Sequence, residues 1–163
     1  MGSGKSTVGR QLALQLDMPF LDLDAYIESR LKKTIPQIFK EKGELFFRKK
    51  EHEFLKEVLD DPADTVIALG GGTPCYSGNM DMVLHHTPHV FYLMLPIAEL
   101  LARLRLEKAN RPLIRDIPDE ELPNFIGKHL FERRNFYAMA THTLAAGSRD
   151  TASLVSEISG LLV

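Results

Sequence analysis

A single cysteine, Cys75, stands in 163 residues, so no disulfide can form within the chain. The sequence also lacks any apolar run of about eighteen residues and any signal-like segment, so composition gives no membrane-spanning helix. The cytoplasm is the expected compartment. Excess charge is missing too: 20 Lys and Arg face 22 Asp and Glu, a formal net charge of −2. Nothing global therefore points to nucleic acid or a membrane surface, and an anionic ligand must be held by locally placed Lys and Arg. No internal repeat, low-complexity tract or second domain interrupts the chain. With 44% hydrophobic and 26% charged residues, its composition is that of one soluble globular domain over residues 1–163, large enough for a real core.

What is present begins at the N-terminus. Gly2, Ser3, Gly4, Lys5, Ser6 and Thr7 match the second half of the phosphate-binding pattern G-x-x-x-x-G-K-[ST]. Small residues let backbone N–H groups curl around a phosphate, and the helix that follows adds its positive end. Lys5 can then reach the outer phosphates, and Ser6 can ligate Mg²⁺. The helix is predicted over 5–16, because Val8, Leu12 and Leu16 recur at i, i+4 and i+8. The first glycine of the pattern, and the buried strand expected before it, would fall upstream of Met1.

Further along, Pro19 to Asp24 reads as a short buried strand ending in two carboxylates, Asp22 and Asp24. Ligands of open parallel sheets sit outside the strand C-termini, where one carboxylate can organise Mg²⁺ water and the other accept a bond from a substrate hydroxyl. One of them can instead cap the next helix, a job that suits Asp24 better than Asp22. Thr34 and Gln37 have capping-box spacing around Pro36, so a second helix is expected to begin there, with Gly43 as a C-terminal stop and a stretch from Glu44 to about Leu59 carrying Phe46, Phe47, Phe54, Leu55 and Val58 among charges. Strands are expected at Thr65 to Leu69, His89 to Leu95 and Thr143 to Ala146. Helices are expected at about 25–33, 97–106, 120–139 and 151–162. Residues 107–120, with two prolines and weak periodicity, form the candidate mobile lid. Strands alternating with helices imply a mostly parallel sheet covered on both faces.

The remaining candidates have plain alternatives. Gly70, Gly71 and Gly72 can present N–H donors to a ligand or simply make a turn. Arg48, aimed by Phe46 and Phe47, can grip a carboxylate or phosphate, or pair at the surface with Glu44 or Glu51. The same choice applies to Arg133 and Arg134, whereas Arg111 inside the lid is placed to close over phosphates. His85, His86 and His89 have no acidic or cysteine partner at ligand spacing and read as a solvated loop, not a metal site. Cys75 reads as a small buried hydrophobe.

Six segments in order carry a resemblance: Gly2 to Thr7, Asp22-Leu23-Asp24, Gly43-Glu44 with Phe47-Arg48, Gly70 to Gly72, Arg111-Pro112-Leu113, and Arg133 with Tyr137. Together they resemble the shikimate kinase family, small P-loop kinases with an α/β/α fold and sheet order 2-3-1-4-5. The resemblance implies phosphorylation of shikimate to 3-phosphoshikimate with ATP and Mg²⁺. It implies a catalytic set of Lys5, Asp24 and Arg111. ATP would be held by Gly2 to Thr7, Arg103 beside the adenine, and Arg111. Shikimate would be held by Asp24, Arg48, Gly70, Gly71, Gly72 and Arg133, and Mg²⁺ by Ser6 and Asp22. The chain is expected to act as a monomer without nucleic acid or membrane partners.

Members of this family usually carry about ten residues ahead of the position of Met1, which form the central strand. Without that strand an apolar slot with unpaired neighbours is expected; burying four apolar side chains there would contribute roughly 6 to 12 kcal/mol, comparable to the stability of a whole domain. Met1 is accordingly expected to be an internal methionine. Asn135, where proline is common, affects only loop rigidity. Two other readings stand beside the main one: a truncated, non-catalytic nucleotide-binding remnant, or another small-molecule P-loop kinase acting on gluconate or a nucleotide.

Overall fold

The structure is a computed structural model that describes residues 2–108 and 112–162. Its first helix, α1 (Lys5–Leu16), starts on Gly4, whose φ of 84° lies in the left-handed region that glycine enters without strain. Val8, Leu12 and Ala13 form its buried stripe, as the spacing predicts. Asp17, also left-handed, ends it by donating its N–H to the carbonyls of Ala13 and Leu14. Strand β1 (Phe20–Asp22) follows and leads directly into α2 (Leu23–Leu31).

The cap assignment at this junction is the reverse of the one expected. Asp22, not Asp24, caps α2, its Oδ1 accepting from the N–H of Asp24 at 3.1 Å and of Ala25 at 3.4 Å. The strand ends at Asp22, so Asp24 lies in the first helical turn. Helix α3 (Ile35–Leu59) opens on the expected capping box: Gln37 Oε1 accepts from the Thr34 N–H, and Thr34 Oγ1 from the Gln37 N–H. It breaks where the sequence places a stop, at Gly43, with φ 80° and ψ 171°.

Strand β2 (Val66–Ala68) leads through the glycine run into a 3₁₀ turn (Thr73–Cys75) and then α4 (Asn79–His86). This helix is absent from the sequence reading, so His85 and His86 belong to its last turn and not to a solvated loop. The His86 ring bonds to the Met82 carbonyl and to Asp60, and both contacts push its pKa upward. The chain continues as β3 (Phe91–Met94), α5 (Ile97–Glu107), α6 (Pro112–Arg115), α7 (Leu122–Tyr137), β4 (His142–Ala145) and α8 (Thr151–Leu161).

All strand pairing is parallel, with helices as the crossovers, so the α/β class is as expected. Among the described residues the strands make two separate pairs, β1 with β2 and β3 with β4. Between the pairs lies a cavity of about 860 Å³. Val66 and Ile67, which composition marks as buried, line it and are only partly so. The interior is divided accordingly. One cluster joins α1 and α8 to β3 and β4, a second joins α2, α3 and α4, and a third joins α5, α6 and α7. In the third, Ile114 of the lid segment is fully buried with Leu100, Leu104, Leu122 and Ile126. Ile114 thus anchors α6 to this cluster.

Candidate active site

The phosphate loop and the end of β1 enclose a polar cavity of about 580 Å³, lined by Gly2 to Thr7 and by Arg10, Asp22, Asp24, Glu28 and Arg103. Asp22, the last residue of β1, brings the C-terminal end of that strand to the cavity beside the N-terminus of α1. Ser6 donates its hydroxyl to Asp22 Oδ2 at 2.8 Å. Asp22 thus binds with both oxygens, one to Ser6 and the other to the start of α2. Mg²⁺ takes oxygen ligands and commonly uses only one or two from protein, keeping waters and substrate phosphates for the rest. A hydroxyl and carboxylate side by side at a phosphate loop fit that donor set. Among the described residues no group of three His, Cys, Asp or Glu forms a protein-only metal cage.

Asp24 stands between this cavity and the glycine run. A Cβ placed on Gly70 would lie 2.7 Å from Asp24 Oδ1, so glycine there is required by the close approach of the carboxylate. Burial pushes the Asp24 pKa up; Lys5 pulls against that, while Asp22, Glu51 and Glu28 add to it. A carboxylate so placed is a better proton acceptor than an exposed one.

Beyond Asp24 the guanidinium of Arg48 lies against Gly72, where a Cβ would come within 2.9 Å of Nη2. It covers the Tyr76 ring at 3.9 Å from the centroid, a cation–π contact that fixes its plane. Arg48 pairs with exposed Glu44 and with Glu51, as the plain alternative supposes, but the pairing with Glu51 is not a surface one. Glu51 is 1% exposed, and its Oε2 accepts from Arg48 Nη1 at 2.9 Å. Its other oxygen, Oε1, accepts from the Thr73 hydroxyl at 2.7 Å. The Thr73 carbonyl in turn accepts from Asn79 Nδ2 at 2.9 Å, and Asn79 Oδ1 lies 2.7 Å from His52 Nδ1. Thr73 and Asn79 are themselves fully buried. A buried, mutually satisfied network of this kind locks Arg48 to the glycine turn.

Arg133 approaches from α7. Tyr137, one turn later on the same face, donates its hydroxyl to the Gly71 carbonyl at 2.6 Å and ties the end of α7 to the glycine run. Burial raises the Tyr137 pKa, and the neighbouring Arg133 opposes the rise. Burial likewise raises the Cys75 thiol, opposed first by Arg133 and then by Arg48. Arg134 is exposed.

The sites named from sequence divide as follows. Gly2 to Thr7, Asp22, Asp24 and Arg103 gather at the phosphate cavity; Gly70 to Gly72, Arg48 and Arg133 gather beside it. Arg103 Nη1 comes within 3.7 Å of a Cβ built on Gly4, so it stands over the loop itself. Arg111 lies outside the described residues. Sequence reasoning missed the roles of Glu51, Thr73, Asn79 and Tyr76. Only Glu51 had a signal, its i+3 spacing from Arg48.

A phosphate loop running into α1, with Ser6 bonded to Asp22 and Asp24 between the loop and the glycine turn, defines the site of a P-loop kinase. A family model for shikimate kinase matches residues 1–162. A shikimate kinase from Flavobacterium psychrophilum is 40% identical over 162 residues, covering 99% of this chain and 94% of that one. The crystal structure of a shikimate kinase from Bacteroides thetaiotaomicron superposes with a TM-score of 0.93 at 37% identity, over 99% of this chain and 93% of that one. A shikimate kinase from Acinetobacter baumannii in complex with shikimate gives 0.88 at 34% identity, over 99% and 88% of the two chains. The chain belongs to the shikimate kinase family.

Proposed function

We propose that this cleft transfers the terminal phosphoryl group of ATP to a hydroxyl of shikimate, with Asp24 as the hinge between donor and acceptor. ATP-dependent phosphorylation of shikimate is the activity of the family, and the shikimate complex of the Acinetobacter relative agrees with it. The observation that carries the assignment of roles is the position of Asp24: it lines the phosphate cavity and also touches the glycine turn that abuts Arg48.

The backbone of Gly2 to Gly4 and the start of α1 cradle the phosphates, and Lys5 neutralises their outer oxygens. Mg²⁺, held by Ser6 with Asp22 in support, offsets phosphate charge when bound. Asp24 accepts the bond from the attacking hydroxyl and takes its proton as the oxygen reaches phosphorus. Arg48 and Arg133 hold the acceptor carboxylate, and Gly70 to Gly72 bring backbone close enough to seat the ring. Arg103 flanks the nucleotide, and Arg111 is assigned a further positive charge for its phosphates. Two converging arginines favour an acid over a neutral sugar, which would leave both cations unmatched. Among the described residues no helix is long and apolar enough to cross a membrane. We assign the chain to the cytoplasm as a monomer.

Competition binding tests the substrate assignment. With ATP-analogue-loaded protein, shikimate is expected to displace a labelled shikimate probe at concentrations at least tenfold below those needed for gluconate or AMP. Preference for either rival would defeat the reading.

A further inference from the structure

The three carbonyls of the glycine run are satisfied in two different ways. Those of Gly70 and Gly72 are taken inside the turn, by the N–H groups of Thr73 at 3.1 Å and Cys75 at 2.9 Å. The Gly71 carbonyl is taken from 66 positions away, by the Tyr137 hydroxyl at 2.6 Å, and among the described residues it has no other partner. We infer that Tyr137 is a positioning residue for the acceptor: its hydroxyl holds the Gly71–Gly72 peptide in the one orientation that offers the Gly72 N–H to the substrate. This role rests on the acceptor site proposed above.

Peptide geometry makes that hydroxyl decisive. In a trans peptide the N–H points opposite to the carbonyl of the preceding residue, and no described peptide bond is cis. With the Gly71 carbonyl turned toward Tyr137 of α7, the Gly72 N–H is turned away from it, and no described residue accepts from it. Glycine on both sides leaves this peptide little resistance to turning over, since neither residue has a Cβ to restrict it. At Gly72 that freedom is imposed: Arg48 Nη2 would lie 2.9 Å from a Cβ there, so no side chain can be added to stiffen the turn. The lock has to come from elsewhere. Tyr137 can supply it because its own ring is held, packed on Tyr92 of β3 with centroids 4.9 Å apart. Arg133, one turn earlier on α7, lies beside the same hydroxyl. A single oxygen thus sets the glycine turn against the helix that carries the second arginine. A reversed peptide would present a carbonyl to an anionic acceptor where a donor is needed.

The test compares Tyr137→Phe with Tyr92→Phe. The first keeps the ring and its stack and removes only the bond to Gly71; the second removes a hydroxyl from the same stack and leaves that bond in place. In the free protein, NMR of Tyr137→Phe is expected to show the Gly71 carbonyl carbon moved upfield and the Gly72 amide broadened by exchange between two peptide orientations, with Tyr92→Phe like wild type. In steady-state assays Tyr137→Phe is expected to raise the KM for shikimate about 5- to 150-fold, the effect of leaving a carbonyl unpaired, with kcat and the KM for ATP within about twofold of wild type. In the wild type, shikimate is expected to move the Gly72 amide proton downfield, a readout that does not depend on either variant folding. No movement there would overturn the inference. So would an unchanged Gly71–Gly72 peptide in Tyr137→Phe, an equal rise in both KM values, which would make the tyrosine a general brace for α7, or the same rise in Tyr92→Phe. A wild type that binds no shikimate would defeat the substrate reading and overturn the acceptor role with it. Normal shikimate binding by the wild type beside an unchanged KM in Tyr137→Phe would overturn the role of Tyr137 alone.

Discussion

Asp24→Asn is expected to lower kcat by about 10²- to 10⁴-fold, the range for loss of a positioned proton acceptor, with the KM for ATP little changed. Thermal stability is expected to move the other way. Burial raises the folded-state pKa of Asp24 above its ordinary value, so the folded form binds this proton more tightly than the unfolded form. The group therefore favours folding at low pH, and that contribution is lost as pH rises through the folded pKa. Above its folded-state pKa the wild type carries a partly buried ionised carboxylate that the asparagine variant does not. The variant should melt higher than wild type above that pKa, and the difference should shrink as pH falls toward the ordinary aspartate range. In the wild type, the acid limb of kcat/KM should fall above that range and be missing from the residual activity of the variant. A variant that loses activity and stability together, with no pH dependence in the difference, would assign Asp24 a structural role instead.

Arg48→Lys is expected to raise the KM for shikimate by about 10- to 150-fold, the equivalent of one charge-assisted hydrogen bond at about 1.5–3 kcal/mol, and to change the KM for ATP little. Lysine keeps the charge next to buried Glu51 but loses the planar fork that meets Glu51 on one side and a carboxylate on the other. The alanine variant is less informative, because removing one partner of a buried pair costs about 3–5 kcal/mol and threatens the fold itself. Steady-state kinetics with each substrate varied in turn separate the two effects. An equal rise in both KM values would place Arg48 outside the acceptor pocket.

How much was legible in the sequence depends on how local the physics is. The helix over 5–16, the capping box at Thr34 and Gln37 and the break at Gly43 are set by neighbouring residues, and they stand where spacing puts them. The cap on α2 was misread because the choice turns on where the strand stops. Once β1 ends at Asp22 in register with Ala68 of β2, the N–H groups of Asp24 and Ala25 point at the Asp22 carboxylate. Helix α4 escaped notice because its buried positions, Asn79, Met80 and Val83, include a polar residue paired with Thr73 and His52, contacts that exist only in the fold. Arg48 was visible as a fork aimed by aromatics. The device that holds it, Glu51 with Thr73, spans 22 positions and leaves no periodic trace.

The central claim is that Arg48 and Arg133 present one anion pocket beside Asp24. A crystal structure of this chain with shikimate and an ATP analogue measures it directly. The account predicts the shikimate carboxylate within ion-pair distance of both guanidinium groups and a ring hydroxyl within hydrogen-bond reach of Asp24, facing the terminal phosphate over Lys5. A carboxylate bound instead against Lys5, or a ring seated away from Gly70 to Gly72, would contradict it.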